Sequence, residues 1–317
     1  MVFVTRYTAA DAALWDVFVR GSRNGTFLLE RSYMDYHSDR FRDHSLMYRD
    51  DRGRLLAVMA ANEAGDTLHS HQGLTYGGLV LAPGVHASDV GAMFDLTVEY
   101  LRDHGFKAWV YKPVPAVYHK IPSDEDVYFL WRHGARMTAC NLSSVIDYGS
   151  VDGLRAEYCR RNALSRLSAK GVRLDREARV QDFWPLLTEH LADKYGASPV
   201  HTLQEMERLQ GAFPQNISCA AAVDDGGTML AAVVMYVAGQ VAHVQYSAST
   251  ERGRRMGAQD FLYLSLVNHY GAVPGIRFFD FGTSNEEGGR VLNATLNRYK
   301  EGFGARGVTY KQFCLVV

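Results

Sequence analysis

Apolar positions recur along the chain with two periods, and the change from one to the other marks its elements. Val90, Met93, Phe94, Val98 and Leu101 fall at helical spacing, as do Phe261, Leu262, Leu264, Leu266 and Val267, so each group predicts an amphipathic helix. The run MLAAVVMYVAG predicts a buried strand, and HVQYSAS alternates as a half-buried one. That alternation places His243, Gln245 and Ser247 on one face and Val244, Tyr246 and Ala248 on the other. DDRG at Asp50 and DDGG at Asp224 lie between alternating apolar runs and predict hairpin turns.

The pattern repeats at an offset of about 170 residues. Tyr76 meets Tyr246, each expected on a strand that ends in small residues, TYGG and QYSAS. Tyr100 meets Tyr270 late in the following helix, and Gly105 meets Gly275 at its exit. Lys107, Trp109 and Tyr111 meet Arg277, Phe279 and Phe281, and Gly134-Ala135-Arg136 meets Gly304-Ala305-Arg306 before a last strand. Matches in the same order predict a duplicated α/β unit, a mixed sheet flanked by helices. The two domains are expected at 1–148 and 149–317, joined near Asp147-Tyr148-Gly149-Ser150.

Composition narrows the classes. Among 317 residues, 34 Lys and Arg nearly balance 35 Asp and Glu, so any nucleic-acid site must be local. Hydrophobic residues make up 47 %, enough for a large core. The four cysteines, Cys140, Cys159, Cys219 and Cys314, have neither disulfide nor zinc spacing, which predicts reduced thiols in a cytoplasmic protein. The start lacks signal-peptide features, and no apolar run is long enough for membrane insertion. Oligomeric state is not legible.

The chemistry concentrates in YSASTERGRRMG, where a strand meets a basic glycine-containing loop and then a helix. A helix start offers free amides to a pyrophosphate, and Arg252, Arg254 and Arg255 add positive charge. The segment resembles the acyl-CoA loop of GNAT acetyltransferases, R/Q-x-x-G-x-G/A, with Arg255 where the central glycine stands. RRNALSRLSAKGV (Arg160 to Val172) resembles the basic helix opening the second domain of FemAB-type aminoacyltransferases, and YKEGFGARG (Tyr299 to Gly307) their FK-x-G-F-G element. The resemblance implies two tandem GNAT-like domains and an N-acyltransferase. It would move an acyl group from acyl-CoA or acetyl-CoA onto the amine of a small polar acceptor, such as an amino sugar or a cell-envelope precursor. Aminoacyl-tRNA as donor is the alternative, and a degenerate pair of domains that binds a glycan or peptide is a second.

The resemblance places the donor at Tyr246, Ser247, Arg252, Gly253, Arg254 and Gly257 in the second domain. Asp280, crowded by Phe278, Phe279 and Phe281, is the candidate base, because burial raises a carboxylate's proton affinity. Either Tyr299 or Lys300 faces the site, the lysine suited to holding an oxyanion or phosphate. Glu286 and Glu287 read as acids in a first helical turn. The first domain has no Arg or Lys before its equivalent helix, so it is expected to bind the acceptor or serve structurally. Its candidates are His71, Thr75, Tyr76, Lys112 and Tyr118. His69 and His71 would share a strand face, but no nearby carboxylate or cysteine completes a ligand set, and no metal is expected. The Pro-rich YKPVPAVYHKIPSDEDVY can close over a cleft or form a plain loop. From Arg155 to Arg179, eight Lys and Arg face three acids, which suits either RNA phosphates or a solvated helix face.

Overall fold

The computed structural model describes residues 1–150 and 155–317. The chain forms two compact units that are interleaved in sequence. One comprises Met1–Leu142, Asn285–Leu292 and Val308–Val317, and the other Ser143–Ser284 and Asn293–Gly307. A single cut near residue 149 does not reproduce this division, because two later segments return to the first unit.

The first unit contains β1 (Val2–Arg6), α1 (Ala12–Gly21), α2 (Arg31–Met34), β2 (Arg42–Asp43), β3 (Leu46–Asp50), β4 (Leu55–Ala60), β5 (Asn62–Ala64), β6 (Thr67–His69), β7 (Gly78–Leu81), α3 (Ala87–Asp103), β8 (Ala108–Tyr111) and α4 (Glu125–Arg132). Then comes β9 (Arg136–Asp147), whose last residues, from Ser143, belong to the second unit. One ladder runs β1-β3-β4-β7, all antiparallel. In another, β6 pairs parallel to β8. The apolar face of α3 (Val90, Met93, Phe94, Val98 and Leu101) is buried against Leu46, Met59, Leu79 and Trp109, as its spacing predicts.

The second unit continues with α5 (Tyr158–Ser168), β10 (Arg173–Asp175), α6 (Val180–Tyr195), α7 (Leu203–Ala212), β11 (Ile217–Val223), β12 (Met229–Ala238), β13 (Val241–Ser249), α8 (Glu251–Met256), α9 (Ala258–Gly271) and β14 (Phe278–Thr283). A small hairpin, β15 (Asn285–Glu286) and β16 (Val291–Leu292), belongs to the first unit. α10 (Ala294–Glu301) closes the second unit, and β17 (Arg306–Val316) passes from it into the first. Within the second unit β10 to β13 are antiparallel, β14 pairs parallel to β13, and the end of β9 pairs antiparallel to β14.

The repeated sequence features take up equivalent local structures. In both DD turns the first aspartate's carbonyl accepts the amide of a left-handed glycine: Gly53 (φ 76°) bonds Asp50 at 2.9 Å, and Gly227 (φ 80°) bonds Asp224 at 3.0 Å. Trp109, Tyr111 and Phe279 are fully buried, and Phe281 nearly so. Two expectations need correction. Tyr76 lies in the irregular segment before β7, because Gly77 sits where a Cβ would come within 2.2 Å of the Ser70 carbonyl and Gly78 takes φ 77°. α9 is not amphipathic: Tyr263 and Tyr270 are buried along with its leucines, since α5 packs on it as well as the sheet. No described helix is long and apolar enough to cross a membrane.

Candidate functional site

The site begins where two strands part. β13 and β14 share rungs at Val241–Phe278, Ala242–Phe279 and His243–Asp280, and none beyond. Past that rung the strands diverge, and His243 and Asp280 stand at the base of the opening. Gly282, at φ 79°, lets β14 turn away in a conformation that an L side chain rarely adopts.

Asp280 has no exposed surface. Its Oδ1 accepts the Ser143 hydroxyl from β9 and the Gly282 amide at 2.8 Å, and its Oδ2 accepts His243 Nδ1 at 2.9 Å. A carboxylate so occupied cannot reach a substrate. The burial inferred from its aromatic neighbours is real, but the role of base does not follow from it.

Lys300 lies beside Asp280. The Asn293 side chain caps α10 by accepting Leu296 N at 3.0 Å, and the helix turns Lys300 inward. Its Nζ donates to the Gly282 and Thr283 carbonyls, each at 2.8 Å. Burial lowers its pKa to about 8, partly opposed by the Asp280 charge. Both Tyr299 and Lys300 point into the unit, so the expected choice between them does not arise. Tyr299 donates to Asp260 Oδ1 at 2.7 Å, and Asp260 in turn pairs with Arg160 at 2.7 Å. Burial and the Asp260 charge push the Tyr299 phenol far above its usual range. Glu286 sits in β15 and Glu287 opens a short 3₁₀ turn over Glu287–Gly289, so only Glu287 stands in a first helical turn.

A bulge at Gln245 overturns the expected alternation on β13. The register steps from Val234–Tyr246 to Met235–Val244, leaving Gln245 unpaired. Tyr246 therefore shares a face with His243, and Ser247 lies on the other. Tyr246 bonds His201 Nδ1 through its hydroxyl at 2.7 Å, with its ring edge against Trp184, while Ser247 bonds the Tyr263 hydroxyl at 2.7 Å on α9.

The expected open phosphate loop is the short helix α8. Arg252 pairs with Asp224 of the DD turn at 2.7 Å, Arg254 donates to the Ser249 carbonyl at 2.8 Å, and Arg255 pairs with Glu251. Gly253 is buried against β12, where a Cβ would stand 1.9 Å from the Leu230 carbonyl oxygen. Gly257, at φ 82°, separates α8 from α9.

In the first unit, β6 ends at His69 and His71 takes φ 60°, so the two histidines do not share a strand face. His71 stacks on His37 at 5.0 Å, and burial with cationic neighbours lowers its pKa to about 3. Lys112 donates to the Leu74 carbonyl, and burial lowers its pKa to about 8. Tyr76 bonds Thr26 at 3.0 Å and packs on Tyr118, which bonds Tyr310 at 3.0 Å, whereas Thr75 is exposed. The Pro-rich segment is fixed rather than poised to close: Val114, Val117, Tyr118 and His119 are buried, and Lys120 bonds the Arg20 and Ser22 carbonyls. Here β7 and β8 are not ladder neighbours. The Tyr111 hydroxyl bridges them, accepting Leu79 N at 2.6 Å and donating to Asp126 at 2.7 Å. The position matching the donor opening is thus occupied by a buried tyrosine. Among the described residues no three His, Cys, Asp or Glu side chains converge as a metal site would require.

The described residues of the second unit border two sizeable cavities. One, of about 650 Å³, is bordered by Glu189, His190, Asp193, Lys194, Glu251 and Arg254. The other, of about 520 Å³, lies between α5 and α9 and is lined by Tyr148, Arg155, Arg161, Leu264 and Phe303 among others. Neither is lined by His243, Asp280 or Lys300.

Sequence reasoning missed the roles of His243, Ser143 and Asp260. His243 was legible as a polar strand residue, but its pairing with Asp280 depends on parallel register, which leaves no local signal.

Residues 155–301 match the family model described as Acetyltransferase (GNAT) domain. The fold of the whole chain is similar to the crystal structure of FemX, at 12 % identity, covering 99 % of this chain and 97 % of that one, with a TM-score of 0.69. It is also similar to the C-terminal domain (DUF2156) of a putative lysylphosphatidylglycerol synthetase from Agrobacterium fabrum, at 13 % identity, covering 98 % and 93 %, with a TM-score of 0.61. A tandem GNAT protein from the clavulanic acid biosynthesis pathway aligns at 13 % identity over 99 % and 98 %, with a TM-score of 0.51. No curated protein sequence matches the chain. Residues 155–301 thus match a GNAT acetyltransferase domain, within a chain whose whole fold is similar to FemX and to a tandem GNAT protein.

Proposed function

We propose that the protein is an N-acyltransferase that binds its acyl donor in the opening between β13 and β14 and transfers the acyl group to the amine of a small polar acceptor, such as an amino sugar or a cell-envelope precursor. The observation that carries this reading is the buried cation at the base of that opening: Lys300, held by two backbone carbonyls beside Asp280. A cation in a low-dielectric site stabilises the oxyanion of acyl transfer without reorganising. Tyr111 fills the corresponding place in the first unit, which supports an acceptor-binding or structural role for that unit.

Acyl-CoA is the donor that a GNAT domain implies. Aminoacyl-tRNA is the second reading, favoured by the ties of Arg252 and Arg254 to protein acceptors and by the carboxylates of Glu189, Asp193 and Glu251 around the neighbouring cavity. The basic residues from Arg155 onward would then meet RNA phosphates. Discharge of radiolabelled acetyl-CoA and of aminoacyl-tRNA, with glucosamine and UDP-linked amino sugars as acceptors, tests both. One donor should be discharged in an acceptor-dependent way, and Lys300→Met should slow that discharge roughly 100- to 1,000-fold. Discharge of neither donor overturns the reading.

A further inference from the structure

We propose that His243 is the proton acceptor of this acyl transfer and that Asp280 is its positioning residue. The inference rests on the acyltransferase reading above and deepens it.

The donors around Asp280 include the Ser143 hydroxyl, the Gly282 amide and His243 Nδ1. An ionised carboxylate only accepts hydrogen bonds, so the bond to Nδ1 requires the proton to sit on that nitrogen in neutral His243. The other nitrogen, Nε2, then carries the lone pair. The side chain of His243 keeps 17 % of its surface exposed while that of Asp280 keeps none, so the histidine presents the accessible end of the pair. Its position on the last shared rung of β13 and β14 puts the residue at the base of the opening. A buried carboxylate that fixes the ring's tautomer and orientation raises the histidine's efficiency as a base without touching substrate.

A neutral acceptor amine attacks the carbonyl carbon of the donor ester or thioester, and His243 Nε2 takes one proton from that nitrogen as the C–N bond forms. The imidazolium returns the proton to the leaving oxygen or sulfur when its bond to the acyl carbon breaks. An amide and the free alcohol or thiol result, and the histidine ends neutral.

The experiment joins kinetics to spectroscopy on the full chain. With whichever donor the wild type discharges, His243→Gln and His243→Ala should each lower turnover about 100- to 10,000-fold while KM for the donor stays within about threefold. Asp280→Asn should produce a smaller loss. Two-bond ¹H–¹⁵N correlation spectra should show the Nδ1–H tautomer of His243 in the wild type and its loss in Asp280→Asn, a readout that needs no substrate. Near-normal turnover in a folded His243→Ala protein overturns the inference while leaving the acyltransferase reading intact, as does an Nε2–H tautomer in the wild type. Absence of discharge by the wild type itself, with the expected tautomer present, counts instead against the acyltransferase reading.

Discussion

At the scale of single residues, burial decides what each charged group can do. Lys300 is paired with carbonyl dipoles rather than an ion pair, and its native pKa falls to about 8 from 10.5. Between those values the unfolded chain binds a proton that the native protein has released, so stability rises with pH across that window. Below about pH 8 the lysine is charged in both states and no pH-dependent gain remains. The stability of the wild type relative to Lys300→Met is therefore expected to increase by up to about 3 kcal/mol between pH 8 and 10.5. Urea unfolding of both proteins at the two limits measures it, and a constant difference would show that the lysine is not desolvated. The same logic separates Asp280 from His243: both lie on one rung, but only the histidine retains exposed surface.

Elements act through their approach distances. The glycine pattern in ERGRRMG resembles a phosphate loop, yet Gly253 serves packing: α8 starts so close to β12 that Thr250 N donates to the Leu230 carbonyl at 3.0 Å. A methyl group at Gly253 would lie within 1.9 Å of that oxygen and must push α8 outward. Gly253→Ala is expected to destabilise the protein by about 1–3 kcal/mol, read as a lower urea midpoint. Gly226→Ala, where a Cβ meets only Asp224 Oδ1 at 3.4 Å, serves as the control and should stay within about 0.5 kcal/mol. Equal midpoints for the two variants would remove the packing explanation for the motif. The bulge at Gln245 works at the same scale, since one extra residue exchanges the faces of Tyr246 and Ser247.

For the whole molecule, the chain path matters more than the repeat suggests. The first unit's core includes Phe313 and Leu315, whose strand pairs with Trp109 and Tyr111 of β8, while the second unit takes Ile146 from the end of β9. A cut at residue 148 strands these side chains in the wrong fragment. Each fully buried large apolar side chain is worth about 1.5–3 kcal/mol, against a total stability of roughly 5–15 kcal/mol. Fragments 1–148 and 149–317 are therefore each expected to lack cooperative thermal unfolding and dispersed amide spectra, both present in the intact chain. Independent folding of either fragment would show that the interleaved segments are dispensable.

Local patterns settled a good part of this protein without any coordinates. Turn chemistry at Asp50 and Asp224, the helical stripe of α3 and the ordered matches about 170 residues apart carry the α/β class and the tandem arrangement, because each depends on neighbours within a few residues or on repetition of such neighbours. Lys300 was legible through its flanking glycines and aromatic residues. Tertiary structure alone decided the rest. Whether Arg252 is free or tied to Asp224, whether Tyr246 or Ser247 faces His243, and whether Asp280 or His243 meets solvent all depend on register between strands far apart in sequence. Such register is set by the packing of whole sheets and leaves no trace in the order of residues along one strand.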